Sequence, residues 1–193
     1  MKLGIYGGTF SPPHVGHLIV ATAVREQLAL EQVVFVPGAL PPHKTGQEIL
    51  AGEHRLAMLR LAVEGDPGLG VSDVELRRGG VSYTVETLEE IARARAGAEL
   101  HLLIGMDNYV EFDTWREPDR ILRLAKLVVM TRPGYTARGA PQLPPERVVF
   151  CDVPEIEVAS RHIRKRVREG KSIRYLVPPA VERYVMEHRL YAG

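Results

Sequence analysis

Two histidines, His14 and His17, stand three residues apart just behind a glycine turn, in the run Gly7-Gly8-Thr9-Phe10-Ser11-Pro12-Pro13-His14-Val15-Gly16-His17-Leu18. At that spacing, two side chains on a helix share a face. Each imidazole donates a ring N–H to a phosphate oxygen. Paired glycines let the backbone come close to a ligand, because no Cβ stands in the way. A helix that starts there adds free N–H groups and the positive end of its dipole. The chemistry is phosphate binding. A metal half-site is the other use of such a pair, but Cys151 is the only cysteine and no further ligands are obvious nearby. A G-x-G-x-x-G fingerprint is absent, so a dehydrogenase reading has little support.

A second anion-binding group lies late in the chain, at Ser160-Arg161-His162-Ile163-Arg164. Ser160 reads as a helix N-cap. An N-cap hydroxyl, bare N–H groups and a cation four residues on also make a phosphate cradle. Arg164 is spaced to reach back to the helix start; Lys165, Arg166, Arg168 and Lys171 read as solvated charges. Two cradles suit a polyphosphate, one holding the group under attack and the other the leaving group. Such transfer relies on positioning and charge neutralisation. No G-x-S-x-G elbow is present. A phosphate-monoester acceptor, with a second pKa of about 6, is largely ionised at neutral pH and attacks without a base.

The elements that must position these groups follow from periodicity. Leu3-Gly4-Ile5-Tyr6 reads as a buried strand, Leu18, Ala21, Val24 and Leu28 recur at helical spacing, and Gln32–Pro37 is a second strand. That β-α-β unit predicts a right-handed parallel crossover. Helical patterns follow near Glu53–Val63, Thr84–Ala96, Pro118–Ala125, Ser160–Arg168 and Pro179–Glu187, with apolar runs at Leu69–Leu76, Leu100–Ile104, Leu127–Met130 and Val148–Phe150. The alternation predicts an α/β fold: one Rossmann-like domain over residues 1–193, an open, mostly parallel sheet with helices on both faces. Gly134 to Pro145 reads as a Gly/Pro-rich loop. In such sheets ligands bind beyond the carboxyl ends of the strands. Gly7-Gly8-Thr9, Pro37 to Lys44, Gly105-Met106-Asp107-Asn108 and Thr131 to Tyr135 all follow predicted strands.

The chain of 193 residues carries a formal net charge of +1, so attraction for a nucleotide must be local and a general polyanion binder is not expected. One cysteine excludes an internal disulfide framework and fits a reducing compartment. The N-terminus runs straight into a strand without a signal-peptide layout, and no apolar run approaches the roughly 20 residues that cross a bilayer. These features lead us to expect a soluble, cytoplasmic protein with no membrane or nucleic-acid partner; self-association is left open.

The pattern G-T-F-x-P-x-H-x-G-H marks the HxGH nucleotidyltransferase superfamily, which Gly8 to His17 resembles. The chain as a whole resembles the bacterial nicotinate-nucleotide adenylyltransferases. The resemblance rests on Pro41-Pro42-His43-Lys44, Glu53-His54-Arg55-Leu56-Ala57-Met58-Leu59, Ser82-Tyr83-Thr84, Ile104-Gly105-Met106-Asp107, Thr114-Trp115, Arg132-Pro133-Gly134 and the tail from Ile163-Arg164 to Pro178. It implies transfer of the adenylyl group of ATP, with Mg²⁺, to nicotinate mononucleotide, giving the deamido dinucleotide and pyrophosphate by direct attack without a covalent intermediate. It further implies that His14 and His17 contact the ATP phosphates while Gly8, Thr9 and Phe10 wrap the nucleotide. Gly105 and Asp107 would meet the adenylate ribose, and Ser160, Arg161 and Arg164 the triphosphate. Lys44, Tyr83, Thr84, Trp115 and Arg132 would form the pyridine-nucleotide pocket.

Trp115, the single tryptophan, offers a flat face for a pyridine ring, or serves as a core or lid residue. Asp107 accepts bonds from hydroxyls and is a candidate Mg²⁺ ligand. The chain departs from the family pattern twice: Ser11 stands where aspartate is usual, and Arg161 where the I-S-S-T-x-I-R motif has threonine. Two rivals remain: pantetheine-phosphate adenylyltransferase within the superfamily, and outside it a non-catalytic nucleotide sensor or nucleic-acid binder using the basic Arg161–Arg174 stretch.

Overall fold

A computed structural model describes residues 1–39, 49–131 and 141–192. Six strands form one sheet in the order β3-β2-β1-β4-β5-β6. They are β1 (Lys2–Gly8), β2 (Gln32–Pro37), β3 (Leu69–Val71), β4 (Glu99–Gly105), β5 (Ala125–Thr131) and β6 (Val148–Asp152). Every pairing is parallel. The chain builds outward from β1 to β3, then returns to the other side of β1 for β4. The strand order therefore reverses between β1 and β4, and a crevice opens there at the carboxyl ends.

Parallel strands covered on both faces bury alternate residues in opposite directions. Val34, Val36, Leu102, Ile104, Leu127 and Val129 face α3 (Val74–Arg78), α4 (Thr84–Ala94) and α6 (Pro118–Leu124), whose Val74, Val85, Leu88, Ile91 and Ile121 complete that core. Val33, Phe35, Leu103 and Val128 face the other way, against Ala21 and Val24 of α1 (Val15–Gln27) and Leu59 of α2 (Gly52–Val63). A third cluster of Met58, Ile163, Ile173, Val177, Val181 and Val185 ties α2 to α7 (Ser160–Arg168) and α8 (Pro179–Glu187). Each fully buried aliphatic side chain contributes roughly 1.5–3 kcal/mol. In α7 only Ile163 is buried, so this one side chain seats a helix otherwise covered in cations.

Four local expectations are corrected. The run Leu69–Leu76 is not one strand: β3 stops at Val71 and α3 begins at Val74. Ser72 Oγ accepts from the Val74 N–H at 3.4 Å, and Arg77 donates to Asp73 at 2.8 Å, which together start that short helix. A further helix, α5 (Met106–Val110), follows β4 directly. His14 is the N-cap of α1 in extended backbone (φ −138°, ψ 168°), outside the helical turn that His17 occupies. Ser160 is the first helical residue of α7, and its N-cap is Ala159. The Gly134–Pro145 loop lies largely outside the described residues. Among the described residues, no helix is long and apolar enough to cross a membrane.

Candidate active site

The turn after β1 owes its shape to two residues. A Cβ on Gly8 would lie 2.7 Å from Phe10 Cζ, so glycine is required for the Phe10 ring to fold under the strand end. Phe10 accepts the left-handed backbone (φ +48°) that makes this possible. Its ring is 3% exposed and packs edge-on against Tyr6 at 5.6 Å, Phe35 at 5.5 Å and His17 at 5.0 Å. What Phe10 can offer a ligand is therefore mainly its backbone.

Beneath the turn sits Arg55, 2% exposed. It donates from Nη1 to the Thr9 carbonyl at 3.0 Å and from Nε to the Leu50 carbonyl at 2.9 Å. Sequence reasoning gave Arg55 no role, although a signal was available: Arg55, Met58 and Leu59 fall on the buried face of α2 at helical spacing.

The histidine pair is rigidly arranged. The two rings stack with centroids 3.6 Å apart. The His14 backbone N–H donates to His17 Nδ1 at 3.1 Å. A ring nitrogen that accepts carries no proton, so the neutral His17 holds its proton on Nε2, as a donor. Burial pushes the His14 pKa down to about 4. Burial, with a smaller contribution from His14, pushes His17 down to about 3. Both rings are neutral at pH 7. His14 Nδ1 is buried without a partner. Gly16 leaves the ring its place, since a Cβ there would lie 3.1 Å from that nitrogen. The start of α1 supplies less than expected: the Val15 N–H is taken by the Leu176 carbonyl at 3.0 Å, and the His17 N–H by the His14 carbonyl at 3.0 Å. An anion here meets the imidazoles and at most part of the helix end.

The late helix comes to the same place. Ser160 Oγ donates to the Pro12 carbonyl at 2.9 Å, and Arg164 Nη1 donates to the Ser11 carbonyl at 2.7 Å. Ser11 Oγ in turn shares a hydrogen bond with Tyr191 OH at 3.0 Å, which brings in the C-terminal tail. The two groups expected from the sequence to bind phosphate are thus stitched together through residues 11 and 12. The Ser160 hydroxyl is occupied by this bond, whereas Arg164 keeps further N–H donors. Arg161 is exposed, with Nε 3.3 Å from His162 Nε2.

Three cavities open around this centre. The first, about 400 Å³, is lined by Gly7, Gly8, Thr9, Ser82, Thr84 and Trp115, among others. Its floor includes Glu75, 8% exposed, which accepts from Thr87 Oγ1 at 2.7 Å. Trp115 also packs on Phe112 at 5.6 Å, so it is both a core and a lining residue. Tyr83 is not among the lining residues; its ring lies under the Arg116 guanidinium at 4.4 Å. The second cavity, about 860 Å³, lies beyond β4 and β5 and includes His14, Gly105, Asp107, Thr131 and Ser160. A Cβ on Gly105 would be 3.3 Å from Asp107 Oδ1, so glycine makes room for that exposed carboxylate. The third, about 840 Å³, includes Ser11, Ser160, Arg161 and Arg164. Among the described residues, His17 alone lines all three. Lys44 and Arg132 lie outside the described residues.

Among the described residues, no three His, Cys, Asp or Glu side chains are grouped to hold a metal. Asp107, an exposed carboxylate in the second cavity, is a donor of the kind Mg²⁺ takes.

Comparison with known proteins agrees with this architecture. The cytidylyltransferase-like family matches residues 5–166. A probable nicotinate-nucleotide adenylyltransferase of Thermomicrobium roseum is 46% identical, covering 98% of this chain and 91% of the relative. One of Thermus thermophilus is also 46% identical, covering 99% of this chain and all of the relative. The solved Plasmodium falciparum nicotinic acid mononucleotide adenylyltransferase, complexed with NaAD, superimposes with a TM-score of 0.77 at 15% identity, covering 98% and 97% of the two chains. At that identity the likeness speaks for the fold.

Proposed function

The chain belongs to the cytidylyltransferase-like family and, within it, to the nicotinate-nucleotide adenylyltransferases, enzymes of NAD biosynthesis, and from that premise we propose how its three cavities divide the reaction. The adenosine of ATP lies in the 860 Å³ cavity, its ribose near Gly105 and Asp107. Nicotinate mononucleotide enters the 400 Å³ cavity with its ring against Trp115. The triphosphate crosses His17 and its two outer phosphates reach toward Ser160, Arg161 and Arg164. The observation that carries this reading is that His17 lines all three cavities, which is where the α-phosphorus must sit.

The ionised phosphate of the mononucleotide forms a bond from its oxygen to the α-phosphorus. The bridging α–β bond breaks, and its electron pair departs on pyrophosphate. No proton need move, and no covalent intermediate forms. His17, neutral and protonated on Nε2, donates to the oxygens where charge gathers, as does the guanidinium of Arg164. Asp107 would hold Mg²⁺ together with the substrate phosphates, and the ion would supply neutralisation of phosphate charge. Arg55 keeps the Thr9 carbonyl turned away from the incoming phosphates, since a carbonyl aimed at them would repel. The enzyme works as a single nucleotidyltransferase domain in the cytoplasm on small-molecule substrates, without nucleic acid.

The test supplies ATP, Mg²⁺ and one acceptor at a time and follows pyrophosphate release. Turnover is expected with nicotinate mononucleotide. Turnover with phosphopantetheine alone would replace this reading by the pantetheine-phosphate one.

A further inference from the structure

The cavity beside α7 is larger and more cationic than a departing pyrophosphate requires. Its volume of about 840 Å³ is twice that of the cavity assigned to a whole mononucleotide. Arg161, Arg164 and Arg168 all line it. They stand at i, i+3 and i+7, one face of the helix, and at 1.5 Å per residue the row is about 10 Å long. No Asp or Glu is among the described lining residues. The nearest carboxylate in sequence, Glu169, is taken by Lys171 at 2.8 Å and Lys165 at 3.8 Å. Ser11, also in the wall, presents a neutral hydroxyl bonded to Tyr191 OH. Ser11 and Arg161 both line this cavity, and neither brings a negative charge to it.

We infer that this cavity takes a chain of three linked phosphates as well as two, so that the enzyme accepts adenosine 5′-tetraphosphate as an adenylyl donor. The inference rests on the division of cavities proposed above. The step is the same displacement: an acceptor phosphate oxygen bonds to the α-phosphorus, the α–β bridging bond breaks, and the electron pair leaves on inorganic triphosphate. Arg164 and Arg161 hold the first two phosphoryl groups of the leaving chain, and Arg168, one turn further on, meets the third. Arg168 is exposed, so its contribution is that of a surface contact to an anion.

The test titrates the enzyme with inorganic pyrophosphate and with inorganic triphosphate, at fixed free Mg²⁺, by calorimetry and as competitors of ATP turnover. Triphosphate is expected to bind about fivefold more tightly. Adenosine 5′-tetraphosphate is expected to support dinucleotide formation with release of triphosphate. In Arg168→Gln the preference for triphosphate should disappear, with pyrophosphate affinity changed less than about twofold. Equal or weaker binding of triphosphate, or a preference that survives Arg168→Gln, would overturn the longer-chain inference while leaving the division of cavities standing. Failure of both anions to compete with ATP would overturn that division as well.

Discussion

The state of the histidine pair makes a quantitative prediction about stability. Both rings are held neutral by burial, with pKa values near 4 for His14 and 3 for His17 against 6.5 for an ordinary histidine. Above about pH 7.5 neither the folded nor the unfolded form binds a proton there to any extent, and the pair is silent. As the pH falls below 6.5 the unfolded chain takes up protons that the folded chain refuses, so stability declines by up to about 1.4 kcal/mol per pH unit for each ring. Between pH 6.5 and 4.5 the two together remove about 4 kcal/mol. The control is the double variant His14→Asn, His17→Gln. Asparagine is a good N-cap, and glutamine at N3 keeps an acceptor for the N-cap N–H. Urea unfolding at pH 6.5, 5.5 and 4.5 should show wild type losing about 4 kcal/mol more than the variant over that range. Parallel losses in the two proteins would mean that the rings are protonated in the fold, and the assignment of His17 as a neutral Nε2 donor would be wrong.

Three other outcomes follow from single contacts. Gly16→Ala places a Cβ 3.1 Å from His14 Nδ1 and 3.4 Å from Ile156 Cγ2; displacing the ring, which stacks on His17, should cost about tenfold in kcat/KM for ATP in steady-state kinetics if His17 donates to the phosphates as proposed, because small misplacements of such a donor are costly. Arg55→Met removes the buried donors that reach the Thr9 and Leu50 carbonyls and should lower stability by about 2–4 kcal/mol in denaturant titration. Trp115→Ala should raise KM for the pyridine nucleotide more than for ATP; equal effects on both would make Trp115 structural.

Much of the frame was legible in the residues because it depends on local pattern. The β1–α1–β2 unit and the span of α7 are fixed by apolar spacing and turn residues, and the chemistry clusters at strand ends because parallel sheets put it there. What escaped depends on distant contacts. Ser160 looks like an N-cap in sequence, but its hydroxyl is engaged 148 residues away by the Pro12 carbonyl. The free N–H expected of Val15 is used by Leu176, far along the chain. Apolar content alone could not divide Leu69–Leu76, since Val74 is buried in α3 as it would be in a strand. Arg55 was passed over because a charged side chain on a helix is usually solvated, whereas here two carbonyls draw it inside. The motif at Gly8–His17 announced phosphate chemistry; that His17 would be the meeting point of three cavities required the fold.

The proposed single displacement at the α-phosphorus beside His17, with the acceptor and the leaving group in separate cavities, fixes the stereochemistry of the transfer. Turnover with one diastereomer of adenosine 5′-O-(1-thiotriphosphate) in oxygen-isotope-labelled form reports the configuration at that phosphorus. Inversion is the predicted result. Retention would require two displacements through a covalent enzyme intermediate and would contradict it.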